Sequence, residues 1–328
     1  METKWVRAGL GGVAWMATGI GAIGLALHFS VSSARPLVLA ASGAHYLMAG
    51  GFVGAVVFAA LRRWRGVAIA GLVAIGAVVT QVPLHVGESG PVASDTAGRV
   101  AVQVMQANIL FGGADAAAVV NEVRTRGIMI LTVDELSPES VDALAREGLD
   151  DMLPHRYLSP AVGANGTGIW SAYPLSGTVE YDGFVMNQLS AIADVPAVGP
   201  VAVYAFHPVP PVFGTHTWVD ELFRLRVILE RAPAEHAAIV GADFNATFGH
   251  TQFRALLSGR FANAAEQVGA GSLATYPSDR TFPPVVGIDH ILVAGGRATE
   301  VTTVDIPGTD HRAVVARIEL DVEDHRIR

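Results

Sequence analysis

HAAIVGADFNA, residues 236–246, sets an apolar run of strand length against a carboxylate and a carboxamide two residues apart, Asp243 and Asn245. A short apolar run bounded by glycine reads as a buried strand. Just past its end, residues two apart on an extended backbone face one way. A carboxylate there can bind Mg2+ or Mn2+ while the neutral carboxamide donates to a phosphoryl oxygen, which a second carboxylate could not do. The same pattern also serves an Asx-turn that closes a strand.

Three further signatures share this placement at the edge of an apolar run: Glu135 in VDELSPE, Asp289 in GIDHIL and Asp310-His311 in GTDHRAV. Asp289 and Asp310-His311 open strands, whereas Asp243 closes one, so the two kinds meet at one rim when the strands run antiparallel. A histidine oriented by an aspartate can take a proton from water while a metal polarises a phosphate. A lone histidine beside a turn is more often structural. His290, next to Asp289, is expected to point away from the site, and His250 to be a solvated loop histidine.

Around these signatures the runs VAVQVMQ, GIMILTV, GTGIWSA, VAVYAFH, DHILVAG and RAVVARIEL read as strands. Helical periodicity appears over residues 114–126, 139–147, 217–231 and 251–257. Strands separated now by helices and now by turns predict an α/β domain with mixed sheets and helices outside. Trp170 and Tyr173 read as core residues. Phe213, His216 and Trp218 follow His207 in a stretch that can line a cleft, meet a membrane surface or pack.

With 51% hydrophobic residues and a mean hydropathy of +0.41, the 328-residue chain is more apolar than an ordinary soluble protein. The excess lies at the N-terminus, in apolar stretches over residues 8–27, 37–61 and 67–84. At about 1.5 Å per residue the first two can each cross a hydrocarbon layer of about 30 Å, and the third, ending in QVPLH, only marginally. Three transmembrane helices are therefore expected in residues 1–86, then a Gly/Ser-rich linker at 87–98 and one domain over 99–328. Lys4 and Arg7 precede the first stretch and Arg62, Arg63 and Arg65 separate the second from the third, against Arg35 alone between the first two. The positive-inside rule thus predicts a cytoplasmic N-terminus and an extracytoplasmic C-terminal domain. That domain carries 16 arginines and no lysine against 27 acids, a net charge of −11. Such a surface repels a long polyanion, so stable nucleic-acid binding is not expected. The absence of cysteine excludes disulfides and thiolate chemistry.

Six ordered motifs beside the GADFNA stretch carry a resemblance to the endonuclease/exonuclease/phosphatase superfamily: QANIL with Asn108, VDELSPE, GTGIWSAYPL, AFHPVPP with His207, GIDHIL and GTDHRAV. The resemblance spans residues 100–320 and implies a DNase I-like four-layer α/β sandwich, two packed mixed β-sheets flanked by helices. It implies Mg2+, with Mn2+ as the alternative, held by Glu135 as principal ligand with Asn108 and Asp310. It also implies Asp243 and Asn245 positioning water and phosphate, His311 oriented by Asp289 as base or transition-state stabiliser, and His207 contacting the phosphate or protonating the leaving group. The chain departs from the family where Asp134 replaces the usual Gln before the metal Glu, where GADFN replaces GDFN, and where Thr309 replaces the common Ser. Asp134 is expected to face the other side of its strand from Glu135, in a structural role or as a support behind the ligands.

The function expected is that of a membrane-anchored, divalent-metal-dependent phosphoesterase. Its substrate would be a phosphodiester or phosphomonoester that is lipid-linked, part of the envelope or small and soluble, and its partner the lipid bilayer. The alternatives are a tethered nuclease acting on extracellular nucleic acid and a catalytically silent binding or scaffold module.

Overall fold

The computed structural model describes residues 2–87 and 98–322; the linker expected at 87–98 lies outside the described residues except at its two ends. Among the described residues, twelve strands form two six-stranded sheets. The first sheet contains β1 (Arg99–Asn108), β2 (Ile130–Asp134), β3 (His155–Ser159), β4 (Thr167–Ser171), β11 (Gly296–Asp305) and β12 (Arg312–Asp321) in the order β11-β12-β1-β2-β4-β3. The second contains β5 (Leu175–Glu180), β6 (Leu189–Val195), β7 (Gly199–Phe206), β8 (Ala237–Asp243), β9 (Ala262–Asn263) and β10 (Asp289–Ala294) in the order β5-β6-β7-β8-β10-β9. Only β1 with β2 and β7 with β8 pair in parallel, so both sheets are mixed.

Period-two alternation builds the layers. Val102, Val104, Ile130, Ile169, Val203, Ile239, Ile291 and Ile318 point between the sheets into one core. The residues between them, such as Met105, Leu131 and Val133, face outward under α5 (Ala116–Arg126) and α6 (Pro138–Arg146). Val240 and Leu292 meet α8 (Thr215–Glu230) on the far side of the second sheet. This is the expected four-layer sandwich. Asp115 caps α5 by accepting from the Ala118 amide, and Ser137 and Ser140 form a reciprocal capping box at α6.

Along the inner face, polarity changes with height. On β1 the inward residues run Val102, Val104, Gln106, Asn108, and on β2 Ile130, Thr132, Asp134. On β8 they run Ile239, Gly241, Asp243, and on β10, entered from the opposite end, Asp289, Ile291, Val293. Apolar packing thus fills the lower half of the inter-sheet space and polar groups the upper half. The sheets approach closely at Gly241, where an added Cβ would lie 2.1 Å from Thr132 Oγ1.

The N-terminal region departs from three simple spans. The helices α1 (Glu2–His28) and α4 (Trp64–His85) are long and apolar enough to cross a membrane, α4 being the more apolar although its sequence reads as marginal. The middle stretch is broken at Ser42-Gly43 into α2 (Arg35–Ala41) and α3 (Ala44–Ala60), bent by 69°. α2 bridges the two regions: Val38 is buried in the sandwich core beneath α8, while Ala41 packs with Leu27, Ala44, Met48 and Ala77 of the other helices. His250 is likewise not solvated but 1% exposed, accepting from the Thr247 amide at Nδ1 (3.0 Å) and donating from Nε2 to the Val38 carbonyl (2.9 Å). Thr251 and Arg254 donate to the carbonyl of His28, Tyr46 donates to Val285 (2.7 Å), and the Gly271 amide donates to Leu84 (2.7 Å). Gly249 passes so close to α2 that a Cβ there would lie 2.1 Å from the Ala41 carbonyl oxygen. The remaining short helices, α7 (Leu149–Met152), α9 (Thr251–Arg254) and α10 (Ala264–Val268), fill corners of the sandwich.

Two outcomes follow from this packing. Gly241→Ala, which overfills the inter-sheet contact at Thr132, is expected to lower stability by about 1–3 kcal/mol in denaturant titration. Proteolysis at a site engineered into residues 88–97 of the detergent-solubilised chain is expected to leave the two fragments co-eluting, whereas Val38→Asp should let them separate on size exclusion.

Candidate active site

The expected residues Asn108, Glu135, His207, Asp243, Asp289, Asp310 and His311 converge where the polar half of the inter-sheet space reaches the rim. Antiparallel pairing of β10 with β8 sets Asp289 opposite Asp243, and parallel pairing of β1 with β2 sets Asn108 beside Asp134. The amide of Asn108 donates to both Glu135 Oε1 and Asp243 Oδ2, at 3.1 Å each, and its Oδ1 accepts from the Leu110 amide. Glu135 Oε2 accepts from the Phe111 amide at 2.9 Å. His311 Nδ1 lies 2.8 Å from Asp289 Oδ2, while its Nε2 lies 3.8 Å from Asp243 and 3.9 Å from Asp310. His207 Nε2 lies 3.7 Å from Asp243.

The backbone is strained where it delivers these groups. Leu110, Phe111, Glu135 and Asn245 are all non-glycine residues with φ between 45° and 59°, in the left-handed region. Each costs on the order of 1–3 kcal/mol and persists only because its surroundings fix it. Asn245 is where the extended-strand reading departs from the structure. The chain turns left-handed there, so its amide reaches the Pro208 carbonyl (3.1 Å) while its backbone N–H returns to Asp243 Oδ1 (2.8 Å). The Asx-turn and the carboxylate site are therefore one arrangement.

Two supporting residues, Gln188 and Tyr276, carry no sequence signal of their own. Gln188 clamps His207 by donating to its carbonyl (2.7 Å) and accepting from its amide (2.8 Å). The Thr309 hydroxyl donates to the Asn108 carbonyl, and the Tyr276 ring packs 4.9 Å from His311. Gln188 and Tyr276 lie in connections, where periodicity says nothing about which side chain faces the site. His290 points away as expected, between Phe253 and the Ala246 carbonyl.

Burial and like charge dominate the electrostatics. Burial, reinforced by Asp289, pushes the Asp243 carboxyl up to about 8. Burial also raises Glu135, against the donors Asn108 and Phe111. His207 is lowered to about 4 by burial and by His311 beside it. For His311, burial opposes the charge, but Asp289 and Asp243 outweigh it and lift the imidazole to about 10. Among the described residues no arginine ion pair involves a site carboxylate. The buried Asp289 Oδ1 and Asp310 Oδ1 have no hydrogen-bond partner there either. A hard divalent cation fits this set of oxygen donors and uncompensated charge. Ligand atoms of Asp243, Asp289 and His311 lie within 4.8 Å of one another, a grouping different from Asn108, Glu135 and Asp310.

Asp134 does not turn away from the site but lies directly behind it. Its Oδ2 accepts from the Asp243 amide (2.9 Å) and from Gln106 (3.0 Å), and burial raises its carboxyl well above the usual range. A raised carboxyl contributes fully below its unfolded pKa of about 4, and that contribution is lost as pH rises toward the folded value. In EDTA, Asp134→Asn should therefore match the wild type in melting temperature near pH 4 and exceed it increasingly toward pH 7.

The profile of the Endonuclease/Exonuclease/phosphatase family matches residues 105–311. No curated protein matches the chain. Among solved structures, D. rerio TDP2 complexed with a single-strand DNA product superposes with a TM-score of 0.57 at 15% identity, covering 66% of this chain and 98% of that one. An endonuclease/exonuclease/phosphatase from Beutenbergia cavernae gives 0.54 at 19%, covering 67% and 72%. A family protein from Bacteroides thetaiotaomicron gives 0.54 at 14%, covering 68% and 99%. At these identities the likeness is one of fold, and it agrees with the two-sheet architecture described above. The profile match extends from β1 to His311, over more than half of the sequence, and the chain belongs to the endonuclease/exonuclease/phosphatase family.

Proposed function

We propose that the chain is a membrane-anchored phosphoesterase that uses Mg2+ or Mn2+ and works on the extracytoplasmic side. The observation that carries the chemistry is the buried Asp289–His311 pair, 2.8 Å apart, facing Asp243 and the Asn108–Glu135 contact across one rim. Glu135 and Asp310 would hold the cation, with Asn108 fixing the orientation of Glu135. The bound cation would offset phosphate charge. His311, held toward its protonated form chiefly by Asp289, suits the stabilisation of developing charge on a phosphoryl oxygen. Asp243 is placed to orient the attacking water, and His207, neutral in its dry pocket, to contact the phosphate or pass a proton to the leaving oxygen. Asn245 holds the turn that presents Asp243.

The helix arrangement supports the anchored, outward reading. Arg7 donates to the Leu61 carbonyl, so Lys4, Arg7 and Arg62–Arg65 gather at one end of the helices. The sandwich docks at the other end, through His28, Val38, Tyr46 and Leu84. Clustered cations favour the cytoplasmic face. The domain boundaries that fit are a membrane unit over residues 1–86, a linker at 87–98 and a catalytic unit over 99–328. The net charge of −11 weighs against a nuclease. The preserved geometry weighs against a silent module.

Purified full-length protein should hydrolyse bis(p-nitrophenyl) phosphate with Mg2+ and stop on addition of EDTA. Glu135→Gln and His311→Ala should each lower kcat by about 100- to 10,000-fold. Absence of any metal-dependent turnover would refute the enzymatic reading, and hydrolysis confined to plasmid DNA would favour the nuclease.

A further inference from the structure

Nine large apolar side chains are exposed on the described part of the sandwich, and seven of them lie on connections at the site end of the sheets. Only Val179 on β5 and Phe223 on α8 lie elsewhere. Four of the five connections that carry them are tied to the site. Phe111, 56% exposed, follows β1 and donates its amide to Glu135. Val162, 86% exposed, lies beside Ala161, whose amide donates to the Leu136 carbonyl next to Glu135. Phe213, 82% exposed, follows His207 and Pro208, whose carbonyl receives the Asn245 amide. Phe282 and Val285 lie between Asp289 and Ser278, whose amide donates to the Asp310 carbonyl. An apolar rim thus surrounds a polar, acidic site. On a soluble enzyme, clustered exposed aromatics at an active-site mouth would be a liability and would mark a docking surface.

The same end of the sandwich is the end held by the membrane helices. The segment after Asp243 packs on His28 and α2, and Val285 of the rim receives the Tyr46 hydroxyl at the start of α3. The rim is therefore continuous with the place where α1, α3 and α4 reach the membrane surface. Tyrosine is characteristic of that depth, where one end of the side chain is apolar and the other wet.

We propose that the rim carrying Phe111, Val162, Phe213 and Phe282 seats on the bilayer that the chain's own helices cross, so that the site faces phosphate esters at the level of the lipid headgroups. The proposal rests on the anchored phosphoesterase reading and narrows its substrate to an ester of a membrane lipid. A soluble ester would reach such a site only around the edge of the seated rim. A headgroup phosphate lies in its path, with the acyl chains left in the bilayer.

The absence of cysteine makes the test clean, because one introduced thiol is the only one to label. Phe213→Cys, Phe282→Cys and Thr125→Cys, the last at the end of α5 remote from the site, would each be labelled with an environment-sensitive fluorophore. The full chain would be reconstituted in phosphatidylcholine/phosphatidylglycerol vesicles with and without spin-labelled phosphatidylcholine. Blue-shifted emission quenched by the spin-labelled lipid at 213 and 282, but not at 125, is the expected result. Labels at 213 and 282 as wet and unquenched as that at 125 would overturn the proposal. Shielding that follows protein density rather than spin-labelled lipid would also overturn it, assigning the rim to a second copy of the chain. In parallel, the Phe213→Ser/Phe282→Ser double variant should keep turnover of bis(p-nitrophenyl) phosphate within about twofold of wild type. It should lose about tenfold or more on phospholipid in vesicles, as expected when two apolar anchors are removed. Equal turnover of vesicle lipid by both proteins would overturn the lipid assignment. Quenching at 213 and 282 without turnover of any ester would refute the enzymatic reading and leave the seating intact.

Discussion

The interior of this sandwich has to accommodate four carboxylates, Asp134, Glu135, Asp243 and Asp289, each less than a tenth exposed, in a space that water barely enters. Removing charge from water is among the most costly steps a fold can take unless partners are supplied. Here they come from the backbone amides of Phe111, Asp243 and Asn245, from the carboxamides of Gln106 and Asn108, and from one imidazole. The alternation of both sheets then has to switch from apolar to polar at the same height on four strands. A one-residue slip in any of them would turn an inward polar side chain outward and replace it with its strand neighbour.

That requirement explains the distribution of strain. Glu135 and Asn245 end their strands in left-handed conformations, so the carboxylate or its supporting turn bends back over the rim rather than continuing outward. Gly241 shows the complementary demand. Only a residue without a side chain lets Thr132 and Gln106 of the facing sheet come close enough to close the polar layer. Strain above and close packing below hold the same few atoms.

Much of this was legible in residue order. The strands with a hydrophobic inner face, β1, β7, β8, β10 and β12, stand out as apolar runs, and the site residues sit at their ends. The strands β5 and β11 do not, because they are sheet edges: five of the six residues of β5 are exposed, and GRATEVTTVD alternates too weakly to declare itself. The supporting role of Asp134 was legible but its place directly behind Asp243 was not, because strand alternation says which side a residue faces but not whether that side is buried by a second sheet. The break at Ser42-Gly43 was invisible to hydropathy, since residues 37–41 are as apolar as a span. Of these residues only Val38 enters the core under α8, Ala41 packs among the other helices and Leu37 and Leu39 stay exposed, and composition cannot tell one apolar surrounding from another.

In the first sheet β12 lies between β11 and β1, so the earliest strand of the sandwich pairs with one made some two hundred residues later. During synthesis β1 therefore has β2 on one side and nothing on the other until Arg312–Asp321 has been made. Pairing of such remote segments is slow, and an unpaired edge is open to wrong partners in the interval. α1 to α4, made first, are available throughout that time. With Val38 and the carbonyl of His28 to pack against, these helices would offer the later strands a surface on which to assemble, a role in folding separate from any role in position.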